Sequence, residues 1–175
     1  MSQAGGDFVA LNLAVLTVSD TRTRENDTSG DLLATRLTAA GHKLIDRELV
    51  ADDRYRLRAV VSRWIADPLV HGVLITGGTG FAARDITPEA LSPLFDKPIE
   101  GFGELFRQVS LEEIGTSTIQ SRALGGVANH TLVFCLPGST NACATGWDRI
   151  LAEQLDARHR PCNFVGLVLG KRGGA

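Results

Sequence analysis

An α/β domain built on a mostly parallel sheet is the fold class this chain predicts, and three observations predict it. Short β-rich apolar runs alternate with stretches of helical period in the order strand–helix–strand–helix–strand–loop–helix, the pattern of right-handed crossovers between parallel strands. The first run shows little alternation of apolar and polar residues, as expected of a strand covered on both faces. The 175 residues, 43% hydrophobic and 22% charged, form one domain with a sizeable core.

The first strand is Leu13-Ala-Val-Leu-Thr-Val-Ser19, inside the wider stretch from Phe8 to Ser19. Asp20 to Gly30 is a polar loop dense in turn residues, with Arg22 and Arg24 read as solvated cations. Asp27, Thr28 or Ser29 caps a helix that carries Leu32, Leu33, Arg36, Leu37 and Ala40 at helical spacing and ends at Gly41. Lys43 to Val50 is the second strand. Ala51-Asp52-Asp53 then caps a helix from Arg54 to Ile65, with Leu57, Val60, Val61 and Trp64 on one face. Asp52 is either that N-cap or a site carboxylate, and spacing favours the cap.

The third strand, Val73 to Thr76, is closed at once by Gly77, Gly78 and Gly80. Glycines there let the backbone turn sharply and present free N–H groups to an anion, at the strand end where open α/β sheets bind ligands. A plain tight turn is the bland alternative. Gly78-Thr-Gly80-Phe-Ala-Ala83 also fits a dinucleotide fingerprint formally, but that motif belongs at the first strand–helix turn, and here the helix starts later, at Thr87-Pro88-Glu89. Arg84 and Asp85 stand between glycines and helix. Asp85 is read as a site carboxylate, with pairing to Arg84 or capping of the helix as its structural alternatives. Parallel topology brings the ends of all three strands to one edge, which collects Asp20, Asp52 and Asp85 around one crevice. Three carboxylates facing a phosphate cradle make chemical sense with a divalent cation such as Mg²⁺ between them.

Ile99 to Glu104 leads into a helix faced by Leu105, Phe106 and Val109, with Glu104 either a helix-terminus residue or a contact for a polar ring. Ile114 to Arg122 is small and polar. Ala123 to Ala128 and Thr131 to Leu136 form a hairpin about Asn129-His130. Leu136-Pro-Gly-Ser139 is a second strand–loop–helix junction, where Gly138, Ser139 and Thr140 make an anion seat or a simple N-cap. The last helix runs from about Ala142 to Leu155. A polar stretch, Asp156 to Phe164, precedes a short strand from Val165 to Leu169. Residues 8–170 are read as the domain, with 1–7 and 171–175 as flexible termini.

Net charge is −2, which argues against general affinity for nucleic acid or an anionic membrane. Cys135, Cys143 and Cys162 are odd in number and lack CxxC spacing, so neither a disulfide framework nor a zinc site is expected, and the reading is a cytoplasmic protein with reduced thiols. The start lacks the basic and apolar regions of a signal peptide. No apolar run has the length of a membrane helix. His42, His71, His130 and His159 show no metal or catalytic spacing, and neither GxSxG nor GxxxxGK[ST] occurs.

Thr17-Val-Ser-Asp20, Asp27-Thr-Ser-Gly30, Ile75-Thr-Gly-Gly-Thr-Gly80, Arg84-Asp-Ile-Thr-Pro-Glu-Ala90, Glu100-Gly-Phe-Gly-Glu-Leu-Phe-Arg107 and Leu136-Pro-Gly-Ser139 together resemble the molybdopterin-binding MoaB/MogA family. The resemblance spans about Leu13 to Phe164. Glu113 to Ala123 and Gln154 to Phe164 are similar to its molybdenum cofactor biosynthesis protein B branch. It implies a three-layer α/β/α domain assembled as trimers or hexamers. It further implies molybdopterin as ligand, and adenylylation of its terminal phosphate by Mg-ATP ahead of molybdate insertion. The implied site has Asp52 and Asp85 as metal-holding catalytic carboxylates. Its binding residues are Ser19, Asp20, Gly77, Gly78, Thr79, Gly80, Glu104, Ser121, Arg122, Pro137, Gly138 and Ser139, and other cofactor-biosynthesis proteins are candidate partners. Ala144 departs from the family pattern, which has an arginine near that place. Two rival readings remain: a molybdopterin carrier that does not turn over ATP, and an unrelated nucleotide- or sugar-phosphate-binding α/β enzyme.

Overall fold

In the computed structural model, which describes residues 6–170, strand β1 (Asn12–Val18) sits inside a six-stranded sheet. The other strands are β2 (Lys43–Val50), β3 (Gly72–Thr76), β4 (Lys97–Pro98), β5 (Leu124–Ala128) and β6 (Thr131–Leu136), in the order β2-β1-β3-β6-β5-β4. The pairs β1–β2, β1–β3 and β3–β6 are parallel; β5–β6 and β4–β5 are antiparallel. The hairpin turn is at Asn129-His130, both at positive φ, which matches the right-handed twist of the strands it joins.

Strand side chains alternate between two cores, and this makes the fold three-layered. Leu13 and Val15 of β1, Leu74 of β3, and Leu132, Phe134 and Leu136 of β6 pack with Leu33, Phe102, Phe106 and Trp147. Ala14, Leu16, Val73, Ile75, Val133 and Cys135 pack on the other face with Leu57, Val61, Trp64 and Leu91. One helical layer therefore holds α1 (Thr28–Ala39), α4 (Glu100–Ile114) and α5 (Thr140–Gly146); the other holds α2 (Arg54–Ala66) and α3 (Thr87–Leu91). α5 runs on through a π-helical stretch, Trp147–Leu151, into α6 (Ala152–Gln154).

Several local expectations need correction. Val165–Leu169 is a helix, α7, whose Val165 and Val168 pack into the core; a five-residue apolar run carries too little period to separate helix from strand. Leu105 is 42% exposed, and the buried face of α4 uses Phe102, Phe106 and Val109. Gly115–Gln120 forms a 3₁₀ helix where only polar character was legible. Residues 1–5 and 171–175 of the expected flexible termini lie outside the described residues.

β2 is an edge strand, and its edge is blunted. Its register with β1 steps so that Leu13 faces Leu44 while Ala14 faces Asp46, passing over Ile45. A bulge and charged side chains discourage addition of a further strand. Arg63 pairs with Asp46 and Glu48 along it.

Two buried histidines accept backbone bonds at the start of β1. His42 Nδ1 accepts from Leu11 N at 3.1 Å, and His71 Nδ1 accepts from Asn12 N at 2.9 Å. Burial lowers the pKa of His42, with the Asp156 carboxylate acting in the opposite direction. The folded state thus binds fewer protons than an unfolded chain with a histidine at 6.5. His42's contribution is complete above about pH 6.5 and is lost as pH falls from there through the folded-state pKa, by at most about 1.4 kcal/mol at pH 5.5. Urea unfolding at pH 7.5 and 5.5 checks this, and the difference should shrink in His42→Asn.

Candidate functional site

The carboxyl ends of β1, β2, β3 and β6 open on one edge, where a crevice of about 520 Å³ lies. Its walls are Val18 to Thr21 after β1, Asp52 after β2, Gly77 to Gly80 and Asp85 after β3, Gln120 and Ser121 before β5, and Pro137 and Gly138 after β6. The size suits a small molecule.

The glycine loop is shaped by contacts only glycine permits. Gly77 (φ +105°) and Gly78 (φ +69°) are left-handed; a Cβ on Gly77 would meet Val18 O at 2.1 Å, and one on Gly78 would meet Thr87 Oγ1 at 2.3 Å and Asp52 Oδ1 at 3.1 Å. Thr87 pins the loop from below, its Oγ1 donating to Gly77 O at 2.8 Å and its N–H to Gly78 O at 3.0 Å. Thr76 Oγ1 donates to Pro137 O at 2.9 Å, which couples the two loops.

The three aspartates meet as expected, in unlike environments. Asp53, not Asp52, caps α2, accepting from Tyr55 N and Arg56 N. The cap favoured by spacing is therefore one residue on, and Asp52 is left half-buried against Gly78. Burial first, then the Asp20 and Asp85 carboxylates, push the Asp52 carboxyl above its ordinary value, with Arg84 pulling the other way. Asp20 accepts two bonds from Arg84, at 2.6 and 2.8 Å, and one from Asp52 N at 3.0 Å. These hold its carboxyl below the usual range. Asp85 Oδ2 accepts from Ala82 N at 2.8 Å. It neither pairs with Arg84 nor caps α3, which has no side-chain cap bond.

Not every expected site residue lines this crevice. Ser19, Asp20, Gly77, Gly78, Thr79, Gly80, Ser121, Pro137 and Gly138 do, together with Asp52 and Asp85. Ser139 caps α5, accepting from Ala142 N at 3.1 Å, and borders a separate 110 Å³ hollow with Glu113. Glu104 lies on exposed α4 surface beside Arg107 and Phe95. The Arg122 guanidinium braces the glycine loop, donating to Gly80 O at 2.8 Å and Asp85 O at 2.9 Å and pairing with Glu89. Val18, Thr21 and Gln120 line the crevice without having been singled out. Each adjoins a residue that was, and adjacency was the only signal available.

A divalent cation fits part of this arrangement. Asp52 is a desolvated carboxylate beside two others, a setting that a cation would relieve. Yet no group of three or more His, Cys, Asp or Glu side chains among the described residues is placed to hold a metal. Mg²⁺ commonly takes one or two carboxylates and completes its shell with water and substrate phosphates. Asp52 and Asp85 are the two that face the glycine loop. No helix among the described residues is long and apolar enough to cross a membrane.

Comparison with known proteins sets this site in context. Residues 14–157 match a family model described as "Probable molybdopterin binding domain". Molybdenum cofactor biosynthesis protein B of Escherichia coli (strain K12) is 57% identical over 164 residues, covering 94% of this chain and 96% of that protein. A crystal structure of a molybdenum cofactor biosynthesis protein B superposes with a TM-score of 0.84 at 38% identity, covering 98% of this chain and 100% of that one. The tungsten cofactor synthesizing protein MoaB from Pyrococcus furiosus superposes at 0.76 with 37% identity, over 82% of this chain and 92% of that one.

Proposed function

Since the chain belongs to the molybdopterin-binding MoaB/MogA family, we propose that its crevice binds molybdopterin and transfers AMP to it from Mg-ATP. The observation that carries this reading is the joining of an N–H-rich glycine loop and three aspartates in one hollow. An oxygen of molybdopterin's terminal phosphate attacks the α-phosphorus of ATP; a new P–O bond forms as the bond to the β-phosphate breaks, and pyrophosphate leaves. Such chemistry requires positioning and charge stabilisation more than a protein nucleophile. Gly78, Thr79 and Gly80 orient a phosphate through backbone N–H groups. Asp52 and Asp85 would hold a divalent cation, which would supply charge neutralisation on the ATP phosphates. Thr87 and Arg122 keep the loop in shape from outside.

The test is pyrophosphate release from Mg-ATP with and without molybdopterin. Release that depends on molybdopterin is the expected result. Molybdopterin binding without release would favour the second reading, a carrier.

The same reading includes assembly as a trimer or hexamer. Phe102 and Phe106 are buried in the chain's own core, but Leu105, Leu111, Ile114 and Ile119 stand 42%, 52%, 50% and 73% exposed along α4 and the following 3₁₀ helix. Large apolar side chains left exposed on α4 and the segment after it are surface that assembly would cover. Light scattering at micromolar concentration should give at least three times the chain mass, and a clean monomer would overturn this.

A further inference from the structure

The crevice poses an electrostatic problem. Its proposed ligands are polyanions, yet its lining contains three aspartates and no cationic side chain. Arg84 follows the glycine loop at the rim, and its guanidinium is doubly bonded to Asp20, which lines the crevice. That bond joins the loop after β3 to the loop after β1, across a separation of 64 residues. The pair is largely open to water, with Arg84 66% and Asp20 34% exposed. An exposed ion pair contributes little to stability, so it exchanges readily. A guanidinium presents the same planar fork to a phosphate as to a carboxylate, and the doubly charged phosphate is the stronger partner.

We propose that Arg84 is a phosphate-binding residue held in reserve by Asp20: when a phosphorylated ligand enters, the guanidinium exchanges the Asp20 carboxylate for a ligand phosphate. The exchange does two things at once. It brings a positive charge onto the ligand, and it frees Asp20, which lines the same crevice, to join Asp52 and Asp85 in facing the accompanying cation. Asp20 does not drift when released, because its Oδ1 also accepts from Asp52 N at 3.0 Å. Arg122, the other arginine close to the loop, cannot substitute, since its guanidinium is engaged by Gly80 O, Asp85 O and Glu89.

The proposal rests on the reading that the crevice takes phosphates, and the experiment separates the two. Calorimetry measures inorganic pyrophosphate binding, with EDTA and with Mg²⁺, for the wild type, Arg84→Ala, Asp20→Asn and the double variant. Asparagine keeps the carbonyl that accepts from Asp52 N. In EDTA, Arg84→Ala should bind about tenfold more weakly, through loss of a bidentate charge-assisted contact. Asp20→Asn should bind about three- to tenfold more tightly, because Arg84 is no longer held by a carboxylate. In the double variant the gain from Asp20→Asn should shrink to about twofold or less. With Mg²⁺ present the Asp20→Asn gain should also fall, since the freed carboxylate then has a use. If Asp20→Asn improves binding equally with and without Arg84, the effect is removal of a negative charge alone, and the exchange is overturned while the phosphate site stands. Absence of pyrophosphate binding in all four proteins overturns both.

Discussion

Under the proposed function, Asp85→Asn is expected to lower AMP transfer by roughly two or more orders of magnitude while the fold stays intact. The substitution keeps size and one carbonyl, so the bond from Ala82 N at 2.8 Å has an acceptor still available. It removes the charge that faces Asp52 across the glycine loop. Were Asp85 merely structural, the loss would be about 1 kcal/mol of stability with turnover nearly unchanged. The roles open to such a residue are not the ones it fills here: Arg84 pairs with Asp20, and α3 has no side-chain cap. Thermal midpoint, molybdopterin affinity and AMP transfer measured on one preparation separate the cases. A near wild-type rate would place the cation elsewhere and turn attention to Asp52 and Asp20.

The largest effect on stability is expected at Asp27, which does not line the crevice. Its carboxylate is fully buried and takes three bonds: from Thr17 Oγ1 at 2.7 Å, Arg47 Nη2 at 2.8 Å and Gly30 N at 3.0 Å. Burial pushes the carboxyl up, but bonds from Arg47, Thr17 and the Gly30 amide outweigh it and leave the pKa below its ordinary value. Its stabilisation is therefore present above the unfolded value of 3.8 and is lost as pH falls through the folded one. Asp27→Asn keeps an acceptor for Gly30 N and removes the charge, leaving Arg47 buried with only the exposed Asp31 as a charged partner. Breaking a buried pair on one side costs about 3–5 kcal/mol, and Asp27→Ala should add about 1 kcal/mol for the lost cap. Replacing both partners, Asp27→Leu with Arg47→Met, should recover much of the loss, because the cost lies in the unpaired charge. Urea denaturation of the variants decides it; a loss below about 1 kcal/mol in Asp27→Asn would show that Asp31 alone suffices for Arg47.

What was legible in the sequence was whatever short-range pattern encodes. The buried run of β1, the caps and stops around α1, and the glycines after β3 all announce themselves within a few residues. Parallel topology then carries Asp20, Asp52 and Gly77 to one edge, so most of the crevice followed from strand order alone. Contacts between distant segments did not follow. Nothing near Arg84 says that it reaches Asp20, and nothing near Arg122 says that it braces Gly80 and Asp85. Fine register also escaped: Asp52 and Asp53 are equally good caps by residue type, and only backbone geometry selects the second. β4 spans two residues, too short to show any period, yet it completes the sheet beyond β5.

The interlock between the first turn of α1 and the loop after β6 has a kinetic consequence. Ser29 Oγ donates to Gly138 O at 2.8 Å across 109 residues, and Thr28 meets Thr140 at 2.9 Å across 112. β3, which carries the glycine loop, is flanked by β1 and by the late strand β6. Native pairings of such sequence separation form late, because the entropy of closing a long loop precedes any reward. The crevice therefore has no early precursor: with β6 undocked, the wall made by Pro137 and Gly138 is missing. A refolding chain should recover helical signal first and ligand capture with its slowest phase, and a nascent chain should be unable to hold cofactor until nearly all of it has emerged.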